Sequence, residues 1–142
     1  MNEGKTEIIR LLKELVSIPS INPMGREVVN RGEYYEGQIS RYIEDYLKDA
    51  GIDVIKQKVS PDRYNIGGVV RKGKEYPTII FQSHVDTVGF ENGKEYLLGP
   101  VEKDGFIYGR GAADAKGGLA CMLVALEYAR DNIDKINKGD ED

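Results

Sequence analysis

The chain has 142 residues, enough for one domain or for a segment of a larger one, and too few for a multidomain machine. Lys and Arg number 20 against 24 Asp and Glu, and this net charge of -4 argues against a nucleic-acid-binding protein, which needs a basic face. A hydrophobic fraction of 40% and a charged fraction of 31% are typical of a globular protein and exclude a disordered chain.

The single cysteine, Cys121, excludes an internal disulfide and favours a cytoplasmic location. The first residues are polar and charged, unlike a signal peptide, and no apolar run approaches the roughly 20 residues that span a bilayer. We therefore expect a cytoplasmic protein that binds neither nucleic acid nor membrane. Cys121 itself is predicted to pack in the core on the buried side of a helix. It is not predicted to be a nucleophile, because the only histidine is needed elsewhere.

The first half of the chain predicts two helices. Apolar residues recur at three- and four-residue spacing over 5–17, with Thr6 as a candidate cap, and again over 32–50, where Gly51 marks the end. Strands, loops and a third helix follow. The predicted elements are two strands over 52–59 and 64–70, a buried central strand over 78–81, an irregular stretch over 90–104, a short strand over 106–108, and a helix from Gly117. This order indicates an α/β fold.

The only histidine, His84, directly follows the predicted central strand, and Asp86 lies two positions further on. Residues two apart in an extended chain share a face, so the carboxylate would lie beside the imidazole, fix its tautomer and leave the other ring nitrogen free. Metal sites use this arrangement. The alternative interpretation is a histidine that is hydrogen-bonded at a strand end and binds nothing.

Residues 109–118 read GRGAADAKGG and lead into the third helix. A Walker loop is excluded because Lys116 precedes the glycine, and a Rossmann loop is excluded because Asp114 at its sixth position would repel a pyrophosphate. An acidic residue in this place suits a cation, or it helps to cap the helix. His84, Asp86 and Asp114 together therefore form a candidate cation site whose mixed nitrogen and oxygen ligands suit zinc, manganese or cobalt.

Residues 83–88, SHVDTV, followed by residues 108–118, resemble the N-terminal signature of the M20 metallopeptidases, the family of acetylornithine deacetylase, succinyl-diaminopimelate desuccinylase and aminoacylase. The resemblance implies a three-layer α/β/α zinc-peptidase-like catalytic domain. It also implies two Zn2+ ions in the complete site, with Co2+ or Mn2+ as substitutes, and hydrolysis of N-acyl amino acids or peptides. By resemblance His84 binds one metal, Asp114 bridges both metals, and Asp86 acts in catalysis by orienting His84.

The resemblance further implies that residues 1–142 are the N-terminal segment of the catalytic domain. The lid and dimerisation domain, the C-terminal half of the catalytic domain, the glutamate general base and a second histidine ligand would lie outside it. Asp140, Glu141 and Asp142 do not replace that glutamate because no apolar strand precedes them. We therefore expect the isolated chain to be inactive and either to self-associate or to need the missing half. The alternatives are a non-catalytic partner from a split gene and an α/β module with vestigial motifs.

Overall fold

The computed structural model describes residues 2–28, 32–74, 76–89 and 99–136. Its elements in chain order are α1 (Asn2–Ser17), α2 (Gly37–Asp49), β1 (Asp53–Ser60), β2 (Arg63–Val69), β3 (Val101–Lys103), β4 (Phe106–Tyr108), a π-helical turn (Ala112–Lys116) and α3 (Gly117–Ile136). The architecture is mixed α/β, with two antiparallel pairs of strands, β1 with β2 and β3 with β4.

The core lies among the three helices and is closed by the β1–β2 hairpin. Helix α1 packs on α3, and α2 packs on both strands of the hairpin. The buried apolar side chains are mainly those at three- and four-residue spacing on the helices, as the sequence predicted: Leu11, Leu15, Ile39, Ile43, Leu47, Ile52, Leu119, Ala120 and Leu123. Each large side chain among them stabilises the fold by about 1.5–3 kcal/mol through burial.

Two helix starts differ from the prediction. Helix α1 begins at Asn2, so Thr6 lies inside it and its assignment as the cap was wrong. Helix α2 begins at Gly37, later than expected, because Tyr35 has a φ of 68° and its N–H donates to the carbonyl of Ile21 at 2.9 Å. The predicted end of α2 is confirmed, since Gly51 has a φ of 66° and its N–H donates to the carbonyl of Lys48 at 2.8 Å.

Strands β1 and β2 confirm the two predicted strands and pair antiparallel, with Asp53 opposite Val69. Gly68 on β2 is required by packing: a Cβ there would lie 2.8 Å from a methyl carbon of both Leu47 and Leu126. Strand β4 is also confirmed. Its partner β3 falls in the stretch that was predicted to be irregular, and this part of the prediction was wrong.

The prediction of a buried central strand over 78–81 is wrong for this structure. The segment forms no strand, and Ile79, Ile80 and Phe81 are 78%, 82% and 64% exposed. A fully apolar run is buried only when other elements cover both of its faces, and no described part of the chain supplies a neighbouring strand.

Helix α3 begins at Gly117, as predicted, but Cys121 is exposed and does not pack in the core. The buried positions of α3 are Leu119, Ala120 and Leu123, and Cys121 falls outside that stripe. None of the helices in the described ranges is both long and apolar enough to span a bilayer. The acidic residues at 140–142 and the stretch 90–98 lie outside the described residues.

Candidate active site

Residues 84–87 are held by the chain that follows α1, residues 18–24, which we call the N-terminal bend. The N–H of Asn22 donates to the carbonyl of Thr87 at 2.8 Å, and the N–H of Thr87 donates to the carbonyl of Ser20 at 2.9 Å. This is the hydrogen bonding of a parallel β-bridge, and both Ser20 and Thr87 are buried. The backbone on the carboxyl side of His84 is therefore fixed even though it belongs to no regular strand.

The imidazole of His84 lies between the two aspartates that the sequence singled out. Its Nδ1 is 3.0 Å from the main-chain carbonyl oxygen of Asp86 and 3.3 Å from Oδ1 of the same residue. Its Nε2 is 2.9 Å from Oδ1 of Asp114. The structure thus brings all three residues together, with acceptors at both ring nitrogens. The side chains of His84 and Asp114 are 51% and 89% exposed, so the contact between them is open to solvent and to solutes.

The two aspartates also set the electrostatics of the ring. The pKa of His84 is raised above its usual value, mainly because Asp114 accepts a hydrogen bond from the ring and then because the Asp86 carbonyl does so. Protonated imidazole donates from both nitrogens, so acceptors on both sides favour the charged form.

Asp114 is carried by the π-helical turn, and two residues fix that turn. Gly111 precedes it with a φ of 79°, and a Cβ there would lie 2.8 Å from the Thr87 methyl carbon, so only glycine fits without strain. Lys116 ends the turn with its side chain buried, and its Nζ donates to the carbonyl of Ile18 at 2.7 Å. Burial lowers the pKa of Lys116 to about 8. The turn is therefore tied to the N-terminal bend, which also anchors residues 84–87.

The donor atoms of His84 and Asp114 lie nearly as far apart as two ligands of one zinc ion. Tetrahedral zinc holds nitrogen and oxygen ligands at roughly 2.0–2.2 Å, which places two such donors about 3.4 Å apart. Nε2 of His84 and Oδ1 of Asp114, now 2.9 Å apart, therefore fit as two ligands after a small separation. Within the described residues, no group of three or more His, Cys, Asp or Glu side chains is arranged to hold a metal ion. The residues present thus supply part of a zinc site, which needs three or four protein ligands when complete.

Sequence reasoning missed two residues of this site. Asn22 donates from its side-chain amide to Oδ2 of Asp86 at 2.9 Å, and the Lys116 ammonium donates to the carbonyl of Ile18 at 2.7 Å. Both contacts join residues that are far apart in sequence, 64 positions for Asn22 and 98 for Lys116, so no local pattern signals them.

Comparison with known proteins bears on this geometry. The model of peptidase family M20/M25/M40 matches residues 80–138, a range that includes His84, Asp86 and Asp114. An N-formyl-4-amino-5-aminomethyl-2-methylpyrimidine deformylase of Bacillus subtilis is 33% identical over 136 residues, covering 92% of this chain and 30% of that protein.

Two further relatives carry other names. A succinyl-diaminopimelate desuccinylase of Shewanella piezotolerans is 36% identical and covers 87% of this chain and 30% of its own length. A cysteinylglycine-S-conjugate dipeptidase of Corynebacterium striatum is 30% identical and covers 93% of this chain and 29% of its own length. The chain thus spans about 30% of the length of the curated relatives it matches. From the matched motifs and from the relatives aligned over most of its length, we conclude that the chain belongs to the M20/M25/M40 peptidase family.

Proposed function

We propose that the chain supplies His84, Asp86 and Asp114 to a metal-dependent hydrolase of amide bonds whose substrates are N-acyl amino acids or peptides. The observation that carries the proposal is the imidazole of His84 placed between Asp86 and Asp114. The deformylase, desuccinylase and dipeptidase among the relatives all have names that describe removal of an acyl group from nitrogen, which supports amide hydrolysis as the reaction class.

Each residue would have a distinct task. Nε2 of His84 would hold a metal ion, because Asp86 engages Nδ1 and leaves the other ring nitrogen available to the metal. The carboxylate of Asp114 has two oxygens and is suited to bridge two ions. A bound Zn2+, Co2+ or Mn2+ would polarise the scissile carbonyl and lower the pKa of a bound water. The Lys116 ammonium would fix the π-helical turn while the exposed Asp114 carboxylate binds the metal.

We further propose that residues 1–142 form the N-terminal segment of a three-layer α/β/α catalytic domain. The general base, the remaining metal ligands and the lid and dimerisation domain would come from chain outside this segment. Two observations support this. The described residues offer two metal donors where zinc needs three or four, and Ile79, Ile80 and Phe81 lie exposed where neighbouring strands would cover them.

The same exposed run favours the second candidate function, a fragment that works only with a separately encoded second half. A cytoplasmic location completes the proposal and suits the unpaired Cys121.

Metal binding tests the proposed site directly. Equilibrium dialysis of the purified chain against Zn2+ or Co2+ should show binding that Asp114→Asn and His84→Ala abolish and that Asp86→Asn weakens about 10–100-fold. Asp134→Asn is the matched control, because that aspartate is 87% exposed on α3, where it pairs with Lys72. Zinc affinity that is unchanged in His84→Ala would show that the metal does not bind at this site.

Activity tests the incompleteness of the chain. The chain with Zn2+ or Co2+ should not hydrolyse N-formyl, N-succinyl or dipeptide substrates at ordinary enzyme rates, since loss of a general base alone reduces rates by roughly 10²–10⁴. Metal-dependent turnover at ordinary rates, lost in His84→Ala, would contradict the incompleteness and leave the assignment as a hydrolase standing.

A further inference from the structure

The Asp86 carboxylate is held from two sides. Its Oδ2 accepts a hydrogen bond from the side-chain amide of Asn22 at 2.9 Å, while its Oδ1 lies 3.3 Å from Nδ1 of His84. A carboxylate that could turn freely would offer either oxygen to the ring. With Oδ2 engaged by Asn22, Oδ1 is the one directed to the ring.

Asn22 is itself fixed at two points besides its contact with Asp86. Its side-chain Oδ1 accepts from the N–H of Met24 at 2.9 Å, which closes a turn in the N-terminal bend and fixes which end of the amide faces Asp86. Its main-chain N–H donates to the carbonyl of Thr87 at 2.8 Å. Nearby, the Ser20 hydroxyl donates to the carbonyl of Val85 at 2.7 Å, so the bend and the segment that carries Asp86 are joined on both sides of the aspartate.

We propose that Asn22 is a positioning residue for His84: its amide holds the Asp86 carboxylate so that Oδ1 keeps the proton of the imidazole on Nδ1 and leaves Nε2 as the ligand nitrogen. Asn22 touches neither substrate nor metal in this scheme. Its significance for hydrolysis rests on the proposed function, but the contact that it makes and the state of the ring that it sets are properties of the chain alone.

A competing arrangement exists on the same atoms. The main-chain carbonyl of Asp86 lies 3.0 Å from Nδ1, closer than Oδ1. If that carbonyl alone fixed the ring, the carboxylate and Asn22 would be irrelevant to it. The test must therefore separate the carboxylate from the carbonyl.

Nitrogen-15 NMR of the ring makes that separation, because the chain has a single histidine and its ring signals need no assignment. The background is Asp114→Ala, which removes the competing acceptor at Nε2 from a side chain that is 89% exposed. Spectra are recorded without metal at a pH where the ring is neutral, so that they report which nitrogen carries the proton.

The informative variant is Asn22→Asp. It keeps the oxygen that accepts from Met24 but cannot donate to Asp86 and repels its carboxylate, so the ratio of the Nδ1–H to the Nε2–H form should fall about tenfold, the equivalent of one hydrogen bond. Asn65→Asp makes the same chemical change on β2, where the amide donates to Gln57 at 3.0 Å, and should leave the ratio unchanged.

A ratio that is the same in Asn22→Asp as in the Asp114→Ala background would overturn the proposal and assign the ring to the Asp86 carbonyl. If the amide spectrum shows that Asn22→Asp has lost its fold, Asn22→Ser replaces it, since its hydroxyl can accept from Met24 but is too short to reach Asp86. It must then give the same fall. Because no metal or substrate is present, these outcomes are independent of the dialysis and activity experiments that test the proposed function.

Discussion

Gly111 determines the course of the loop that carries Asp114. Its φ of 79° belongs to the left-handed region, and the Thr87 methyl and the Lys116 side chain occupy the space that a Cβ would need, at 2.8 and 3.2 Å. Thr87 in turn belongs to the bridge that fixes residues 84–87. One residue without a side chain thus allows the two halves of the candidate site to approach each other.

Gly111→Ala should therefore destabilise the protein by about 1–3 kcal/mol, because the left-handed conformation and the close contact with Thr87 add their strain. Gly118→Ala is the matched control: it lies in α3, where a Cβ would have nothing within 4 Å, and alanine there should be neutral or stabilise by up to about 1 kcal/mol. Urea denaturation of both variants measures the difference. Equal free energies of unfolding would contradict the role given to Gly111.

Whether a residue of the site could be predicted depends on whether a local sequence pattern marks it. His84 and Asp86 are two positions apart, and Asp114 lies in a glycine-rich stretch, so sequence reasoning could select all three, although only the structure shows their contacts. Asn22 could not be selected, because an asparagine beside a proline is the ordinary composition of a bend. The burial of Lys116 also went unpredicted, since lysine is almost never buried without a partner and its partner is a main-chain carbonyl near α1.

At the scale of elements, the contact between α1 and α2 combines apolar packing with a polar link. Tyr42 on α2 is partly buried and its hydroxyl donates to the Glu14 carboxylate on α1. Burial, with Glu14 as the second cause, raises the pKa of Tyr42 above its usual value of 10.0. The folded state therefore holds the phenolic proton more strongly than the unfolded state does.

Tyr42→Phe should lower the free energy of unfolding by about 1 kcal/mol at neutral pH through loss of this hydrogen bond. Because the folded pKa is raised, the contribution of Tyr42 is fully present below pH 10 and is lost as the pH rises further, so the difference between wild type and variant should shrink above pH 10. Urea denaturation across that range measures it. Tyr128→Phe, at a tyrosine that is 63% exposed on α3, should show neither effect; a difference that grows with pH would refute the assignment to Tyr42.

The elements were predictable where one local period dominates. All three helices follow from their apolar spacing, and β1, β2 and β4 follow from their composition. Strand β3 was missed although a signal was present: Asp104 and Gly105, both with positive φ, form the Asp-Gly turn that typically joins two strands of a hairpin. The start of α2 could not be predicted, because the chain before it pairs with Ile21, a contact that leaves no periodic pattern.

At the scale of the whole molecule, the segment at 78–81 shows what a sequence pattern can and cannot predict. Its composition correctly marks it as apolar, β-branched chain, but burial is a property of its neighbours. In this structure Ile79, Ile80 and Phe81 are exposed, and the backbone of the segment has no pairing strand among the described residues. An exposed apolar run with open backbone groups is a site where another chain adds readily.

We therefore predict that the isolated chain self-associates with rising concentration and that Ile80→Lys reduces this, because a charge at the most exposed of the three positions opposes strand addition. Light scattering over a concentration series measures it. Tyr128→Lys introduces the same charge at another exposed apolar side chain and should leave association unchanged. A monomer of the wild-type chain at all concentrations would contradict the prediction.

The hydrogen bond between Lys116 and Ile18 determines how the protein responds to deletion of helix α1. Helix α1 is remote in sequence from Asp114, yet the carbonyl that receives the Lys116 ammonium is the first one beyond that helix. Deleting the amino-terminal helix would remove the element that packs on the π-helical turn and would place Ile18 at a free chain end, where its carbonyl is no longer held against the Lys116 ammonium. Helix α1 thus supports the π-helical turn that carries Asp114. Shortened chains that begin after α1 should lose the order of that turn first.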